Sequence, residues 1–317
     1  MTAQSVPAIE VRGLRKSFGA NVVLDSVDFD VAQGSVFALL GPNGAGKTTA
    51  VHILTTLLAP DGGEVRVGGH DVVREPSAVR RLIGLTGQVS AVDGQFTGEE
   101  NLRLIADLCH LDRAVGRRRV AELLERFELS EAARRPAMTY SGGMRRRLDL
   151  AMTLAGAPRI IFLDEPTTGL DPRSRRVMWD IIRELVADGV TIFLTTQYLD
   201  EADRLASRIV LLDGGRVAAQ GAPAELKRLV PGSSIRLEFD GAAGLDRAAQ
   251  LLPEGSRDDA SLVLEVPGDG TVHRLQGLLS TLDEASIELA GLTVRSPDLD
   301  DVFLSLTGNG HAEVPAR

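Results

Sequence analysis

Hydrophobic and polar positions change period several times along the chain. Ile9-Glu-Val11 and Val27-Asp-Phe-Asp-Val31 alternate, as half-buried antiparallel strands do. Val36-Phe-Ala-Leu-Leu40 is continuously apolar instead, the pattern of a strand covered on both faces. A glycine-rich turn follows it, and Thr48–Leu58 is long enough for a helix. Strand-like runs recur at Glu64–Val67, Leu82–Thr86, Ile160–Leu163, Thr191–Thr196 and Ile209–Leu212. Between the second and third of these, residues 95–155 are rich in Leu, Ala, Glu and Arg and predict helices. This order predicts an α/β core with an antiparallel β subdomain and a helical insertion. Beyond residue 231 a smaller α/β unit is expected, with strands at Ile235–Phe239, Leu262–Val266 and Ile287–Val294 and short helical stretches between them.

Charge divides the chain at the same place. Residues 1–230 hold 29 acidic and 29 basic side chains, whereas residues 231–317 hold 15 acidic and 6 basic. With turn-formers clustered at Pro231-Gly232-Ser233-Ser234, this predicts two domains, 1–230 and a small acidic 231–317. An acidic second domain argues against nucleic acid as a partner, which needs a basic surface. No apolar run approaches the roughly 18 to 20 residues that cross a bilayer, and Met1–Ala8 lacks the regions of a signal peptide. The chain is therefore expected in the cytosol. Its single cysteine, Cys109, can form no disulfide within the chain, and its neighbours Leu104, Ile105, Leu108 and Leu111 suggest a small core residue.

The glycine-rich turn carries the first chemistry. Gly41-Pro42-Asn43-Gly44-Ala45-Gly46-Lys47-Thr48 satisfies G-x-x-x-x-G-K-[ST] between a buried strand and a helix, with Thr49 next in line. Its glycines let the backbone curl so that N–H groups converge on phosphate oxygens, and the following helix adds its positive end. Lys47 can reach the β- and γ-phosphates, and the Thr48 hydroxyl can ligate Mg²⁺. Lysine is scarce here, occurring only at 16, 47 and 227, so a compact point charge stands at 47 in an arginine-rich chain.

Arg159-Ile-Ile-Phe-Leu-Asp-Glu165 reads as a buried strand delivering two carboxylates, with Pro166 stopping it. Adjacent acids at a buried strand end are costly unless a cation or substrate meets them. Asp164 suits Mg²⁺, directly or through water, and Glu165 suits the base that orients an attacking water. Further on, Ser141-Gly142-Gly143 before a helical run forms an N-terminal cap with exposed N–H groups, which is either a plain cap or another anion-binding end.

These motifs together resemble the nucleotide-binding subunit of ABC transporters over residues 9 to about 222. Tyr140-Ser-Gly-Gly-Met144, followed by Arg145-Arg-Arg-Leu-Asp-Leu-Ala151, is similar to the family signature Leu-Ser-Gly-Gly-Gln. The resemblance implies a P-loop NTPase core of ABC type, ATP and Mg²⁺ as cofactors, and a homodimer in which each cap covers the γ-phosphate held by the other copy. It also implies that Phe18 stacks on adenine, the alternative being a core phenylalanine. Gln88 would sense Mg²⁺ and face the membrane partner, unless it is a plain loop glutamine, and Asp171 would communicate across the dimer, unless it is a simple turn acid. One position departs from the pattern. In Thr195-Thr-Gln-Tyr-Leu-Asp-Glu-Ala202, Gln197 stands where most of the family has a histidine on the γ-phosphate; an amide can donate a hydrogen bond there but never carries imidazolium charge.

Gly84-Leu-Thr-Gly-Gln88, Gln197 and the ending Pro297-Asp-Leu-Asp-Asp-Val-Phe-Leu304 with Leu306-Thr-Gly308 look like the daunorubicin/doxorubicin-resistance ATP-binding group. The ending is also consistent with an amphipathic helix packing Leu299, Val302, Phe303 and Leu306. The resemblance implies an ATPase subunit at the cytoplasmic face of the membrane that energises a separate polytopic permease, with residues around Gln88–Glu100 transmitting motion. It also implies a regulatory or assembly role for the C-terminal domain. Two rivals stand beside it. A soluble ABC ATPase acting on ribosomes or DNA would carry a second nucleotide domain or a long coiled-coil insertion, neither of which is seen here. A binding-only pseudo-enzyme is opposed by Lys47, Asp164 and Glu165, with Gln197 leaving the only opening.

Overall fold

The computed structural model describes residues 6–229, 234–268, 271–295 and 298–307 and divides into two compact units, Met1–Pro223 and Ala224–Arg317. Of the turn cluster expected to mark the boundary, residues 231–233 lie outside the described residues.

The first unit begins with a long hairpin, β1 (Ile9–Phe18) and β2 (Asn21–Val31), paired antiparallel as their alternation predicts. The chain continues through β3 (Val36–Leu40), α1 (Lys47–Leu54), β4 (Gly62–Val67), β5 (His70–Asp71), α2 (Pro76–Leu82) and β6 (Ile83–Thr86). The insertion then holds α3 (Gly98–Leu108), α4 (Arg113–Arg126) and α5 (Gly142–Thr153). After it come β7 (Ile160–Asp164), α6 (Pro172–Ala187), β8 (Thr191–Thr196), α7 (Leu199–Leu205), β9 (Arg208–Asp213) and β10 (Arg216–Gly221).

Two sheets result, one antiparallel with order β2-β1-β4-β5 and one with order β10-β9-β3-β8-β7-β6. In the second, β9, β3, β8, β7 and β6 run parallel, and every residue of β3, β7 and β8 is buried, which explains the unbroken apolar runs Val36–Leu40 and Ile160–Leu163 and leaves only small threonines beside Ile192, Phe193 and Leu194 in β8. Aromatics are scarce, but four phenylalanines are concentrated where the sheets meet. Phe29 of β2 stacks on Phe37 of β3 at 5.0 Å, Phe37 on Phe193 of β8 at 5.2 Å, and Phe162 of β7 lies 5.3 Å from Phe193. Each such pair adds about 0.5–1.5 kcal/mol beyond its buried area.

Two expectations for the first unit need correction, and in the second the strand expected at Ile287–Val294 begins only at Gly291, because the Ile287 N–H bonds back to the Leu282 carbonyl (2.9 Å) at the end of a helix. The helix after the glycine-rich turn ends at Leu54 and not at Leu58, because Thr55 turns its hydroxyl back onto the Val51 carbonyl (2.7 Å) and Thr56 adopts a left-handed φ of 65°. Cys109 is exposed and caps the C-terminal end of α3. The buried face of α3 carries Asn101, Leu102 and Ala106, so Leu104 and Leu108 face outward and the helix ends before Cys109 can turn inward.

The division between the units falls at the start of a short helix, α8 (Pro223–Lys227). The second unit runs β11 (Ser234–Glu238), α9 (Ala242–Leu251), β12 (Ser256–Asp258), β13 (Val263–Pro267), α10 (Val272–Glu284), β14 (Gly291–Arg295) and α11 (Leu299–Thr307). Its sheet is wholly antiparallel with order β12-β13-β11-β14, and Ile235, Leu237, Leu264 and Val266 build a core with Leu245 and Leu278 of the helices. Leu299 and Val302 of α11 are buried and Phe303 is half-buried; Pro297, Gly308 and the Leu306 side chain lie outside the described residues. Among the described residues, no helix is long and apolar enough to cross a membrane.

Candidate functional site

In a parallel sheet, ligands are received at the carboxyl ends of the strands. Here β8 lies between β3 and β7, with Leu40 level with Thr196 and Asp164 level with Thr195. The glycine-rich turn, the two carboxylates and the Gln197 loop therefore emerge along one edge, although 156 positions separate Gly41 from Gln197.

The loop conformation is fixed by its glycines. Gly46 caps α1 with φ 102°, and a Cβ there would meet Leu24 Cδ2 at 2.7 Å and the Val23 carbonyl at 2.8 Å. Gly41 is equally constrained, since a Cβ would stand 2.3 Å from the Leu212 carbonyl. Pro42, Asn43 and Gly44 are exposed, Ala45 is buried and donates its N–H to the Pro42 carbonyl (3.3 Å), and Thr48 and Thr49 are half-buried in the first turn of α1.

Lys47 is only 5% exposed. Its Nζ donates to the Gly41 and Pro42 carbonyls at 2.8 and 3.0 Å and lies 3.6 Å from Glu165 Oε1. Burial lowers the ammonium's pKa, against the opposing pull of Glu165 and Asp164. Thr48 Oγ1 is 3.5 Å from Asp164 Oδ1 and accepts the Gln88 amide at 3.3 Å. Lys47, Thr48, Gln88, Asp164 and Glu165 thus form one connected group.

Consecutive acids on a strand point to opposite faces, and the chain uses the turn as well: Glu165 leaves β7 with a left-handed φ of 50°. Thr195, to which the sequence assigned no role, holds both acids. Its hydroxyl donates to Asp164 Oδ1 and accepts the Glu165 N–H at 3.1 Å. Only the β7–β8 register identifies it, and no sequence pattern encodes that register. Glu201 was also missed. It is fully buried, accepts from Trp179 Nε1 at 3.0 Å, and burial raises its pKa.

The remaining predicted residues stand on other elements and share no hydrogen bond with this group among the described residues. Phe18 is 52% exposed at the end of β1, with Lys16 Nζ 5.6 Å from its ring centre, so it is no core residue. Ser141 is the N-cap of α5, accepting the Met144 N–H at 3.2 Å, while Gly142 is exposed at the helix start and a Cβ on Gly143 would meet Ser174 Oγ at 2.6 Å. Asp171 caps α6 by accepting from Arg173 N and Ser174 N, both 3.0 Å; its hydrogen bonds, above all from the Ser174 hydroxyl, lower its pKa. Gln197 is half-buried just beyond β8. No hydrogen bond joins the Ser141 cap to the Lys47 loop of the same chain among the described residues.

The donor set fits a triphosphate with a hard cation. Among the described residues there is no group of three or more His, Cys, Asp or Glu side chains able to hold a metal. A cation at Thr48 and Asp164 must therefore complete its shell with hydroxyl, amide and phosphate oxygens, which is how Mg²⁺ is usually bound.

Known proteins resemble the chain along most of its length. Residues 24–168 match the ABC transporter family. Daunorubicin resistance ATP-binding protein DrrA3 of Streptomyces coeruleorubidus is 49% identical over 304 residues, covering 95% of this chain and 96% of that protein. Daunorubicin/doxorubicin resistance ATP-binding protein DrrA of Streptomyces peucetius is 45% identical over 314 residues, covering 98% and 95%. Among solved structures, the dimeric ATP-binding cassette MJ0796 in a post-hydrolysis state with ADP and Pi superposes with a TM-score of 0.62 at 26% identity, covering 68% of this chain and 98% of that one. The connected site and near-full-length similarity make the chain a member of the ABC transporter family, among the daunorubicin/doxorubicin-resistance ATP-binding proteins.

Proposed function

We propose that the chain hydrolyses ATP to drive a drug- or antibiotic-type exporter, as a homodimer docked on a separate polytopic permease at the cytoplasmic face of the membrane. The observation that carries this reading is the connected group of Lys47, Thr48, Gln88, Asp164 and Glu165, set beside a signature cap that, among the described residues, makes no hydrogen bond to it within the chain. The names of the relatives support the drug class, and the dimeric cassette supports the assembly.

In this reading the N–H groups of residues 43–49 hold the β- and γ-phosphates, and Lys47 turns its third N–H from Glu165 to phosphate oxygen. That exchange frees the Glu165 carboxylate to accept a proton from the attacking water. Gln197 donates its amide N–H to the γ-phosphate, and Phe18 supplies a face for adenine. Thr48, Asp164 and Gln88 are the residues that would hold Mg²⁺, which supplies charge neutralisation along the phosphates when bound. Ser141, Gly142 and Gly143 close the partner's nucleotide with the N-terminal end of α5, and Asp171 fixes the adjoining start of α6. Closure is favoured only by tighter binding of ATP to the closed pair than to the open one. Val89, 88% exposed, and Phe96, 41% exposed, lie within Gln88–Glu100 and provide apolar surface for the permease.

Phosphate release by the full chain with ATP and Mg²⁺ tests the reading. Glu165→Gln is expected to lose at least about 100-fold in rate while still binding ATP. Release at the parental rate would remove Glu165 from its role.

A further inference from the structure

Arg146 lies in the second turn of α5, the helix whose first residues form the signature cap. Its side chain is 13% exposed, and its guanidinium has acceptors in every direction. Nε donates to the Pro166 carbonyl at 2.9 Å; Nη1 donates to the Gly87 carbonyl at 2.9 Å and to Asp149 Oδ2 at 3.4 Å; Nη2 donates to the Asp164 and Glu165 carbonyls, both at 3.3 Å. Asp149, one turn on and 4% exposed, turns its other oxygen to the Ala91 N–H at 3.2 Å and takes the Ser90 hydroxyl.

Burying both charges is expensive and is offset only where each remaining donor and acceptor is met. Burial weakens the charged form of each, lowering the Arg146 pKa and raising that of Asp149. The acceptors met here are particular ones. Three are the successive carbonyls of Asp164, Glu165 and Pro166, the turn in which Glu165 takes its positive φ. The fourth is the carbonyl of Gly87, next to Gln88, whose amide reaches Thr48. One guanidinium therefore fixes the turn that aims the catalytic carboxylate, the segment that carries Gln88, and the helix that presents Ser141 to the other copy.

We propose that Arg146 and Asp149 are a positioning pair for hydrolysis, locking Glu165 and Gln88 to the signature helix so that these three parts of the site move together. The inference rests on the reading of Glu165 as the base. Neither side chain hydrogen-bonds to the Lys47 loop; both act through the groups they hold. Lysine cannot replace arginine here, because three N–H groups on one point cannot span carbonyls that surround a planar fork.

Arg146→Lys, Asp149→Asn and the double variant are made in the full chain, with Glu165→Gln alongside. Maximal phosphate release, the KM for ATP and the dissociation constant for ADP are measured, and folding is followed by thermal melting. Expected are a loss of at least about tenfold in kcat for each single variant, KM and ADP affinity within about twofold of the parent, and a double variant no slower than the worse single one. Should Arg146→Lys fail to fold, Asp149→Asn decides alone. Parental kcat in a folded variant overturns the inference, as does ADP affinity falling in step with kcat, or losses that multiply in the double variant. Glu165→Gln at the parental rate overturns instead the reading on which the inference rests.

Discussion

Lys47 Nζ stands 3.6 Å from Glu165 Oε1, so the residue proposed to receive phosphate and the residue proposed to activate water are held against each other. Two of the three ammonium N–H groups are committed to the Gly41 and Pro42 carbonyls, leaving one to be shared between carboxylate and phosphate. In the proposed mechanism the same contact ties substrate arrival to the release of the base.

That geometry makes position 47 intolerant of charge-conserving change. An arginine in place of Lys47 would retain the charge, but its planar fork is larger than the pocket that holds a side chain only 5% exposed. Lys47→Arg is expected to lower phosphate release at least about tenfold relative to the parent, read in a steady-state assay.

Gly46 gives a prediction that separates backbone from charge. With φ 102° and Leu24 Cδ2 2.7 Å from a virtual Cβ, Gly46→Ala must distort the loop or the β2 edge. A left-handed non-glycine residue costs about 1–3 kcal/mol. The variant is expected to melt at lower temperature and to bind ATP more weakly even though Lys47 and Thr48 are intact, as thermal melting and nucleotide titration will show.

Gln197 bears on the pH profile. The amide does not titrate, so the rate of the parent should show no step between about pH 6 and 7 attributable to a group contacting the γ-phosphate. Gln197→His is expected to introduce one, and Gln197→Ala to slow hydrolysis; a Gln197→Ala protein at the parental rate contradicts the assigned contact.

Much of this was legible in the sequence wherever a residue's environment depends on its near neighbours. The bounds of β3 and β8 match the strand-like runs Val36–Leu40 and Thr191–Thr196 because both strands are buried on all sides and carry only apolar residues and small threonines. β10 went unread because Arg216-Val-Ala-Ala-Gln-Gly221 has an exposed outer face and resembles a turn. Cys109 was misplaced because its apolar neighbours indicate composition, whereas burial follows the phase of α3, which turns Leu104 and Leu108 outward. Thr195 and Arg146 were invisible for another reason. Their partners lie at residues 164–166 and at 87, and only the sheet order brings these together.

Glu201 predicts a pH effect on stability. Its pKa is raised by burial, so between the ordinary glutamate value and the folded value the native state holds more proton than the unfolded one. Stability from this group therefore falls as pH rises through that window. Glu201→Gln keeps an acceptor for Trp179 Nε1 and removes the titration. The melting temperature of the variant minus that of the parent is expected to increase with pH from about 4.5 upward; a flat difference contradicts it.

In the proposed dimer, nucleotide at Lys47 of one copy is covered by the Ser141 cap of another. Light scattering on Glu165→Gln protein saturated with ATP and Mg²⁺ tests it most directly. Expected is the mass of two chains, reverting to one when Ser141→Arg is added; a mass of one chain under saturating nucleotide would rule the shared site out.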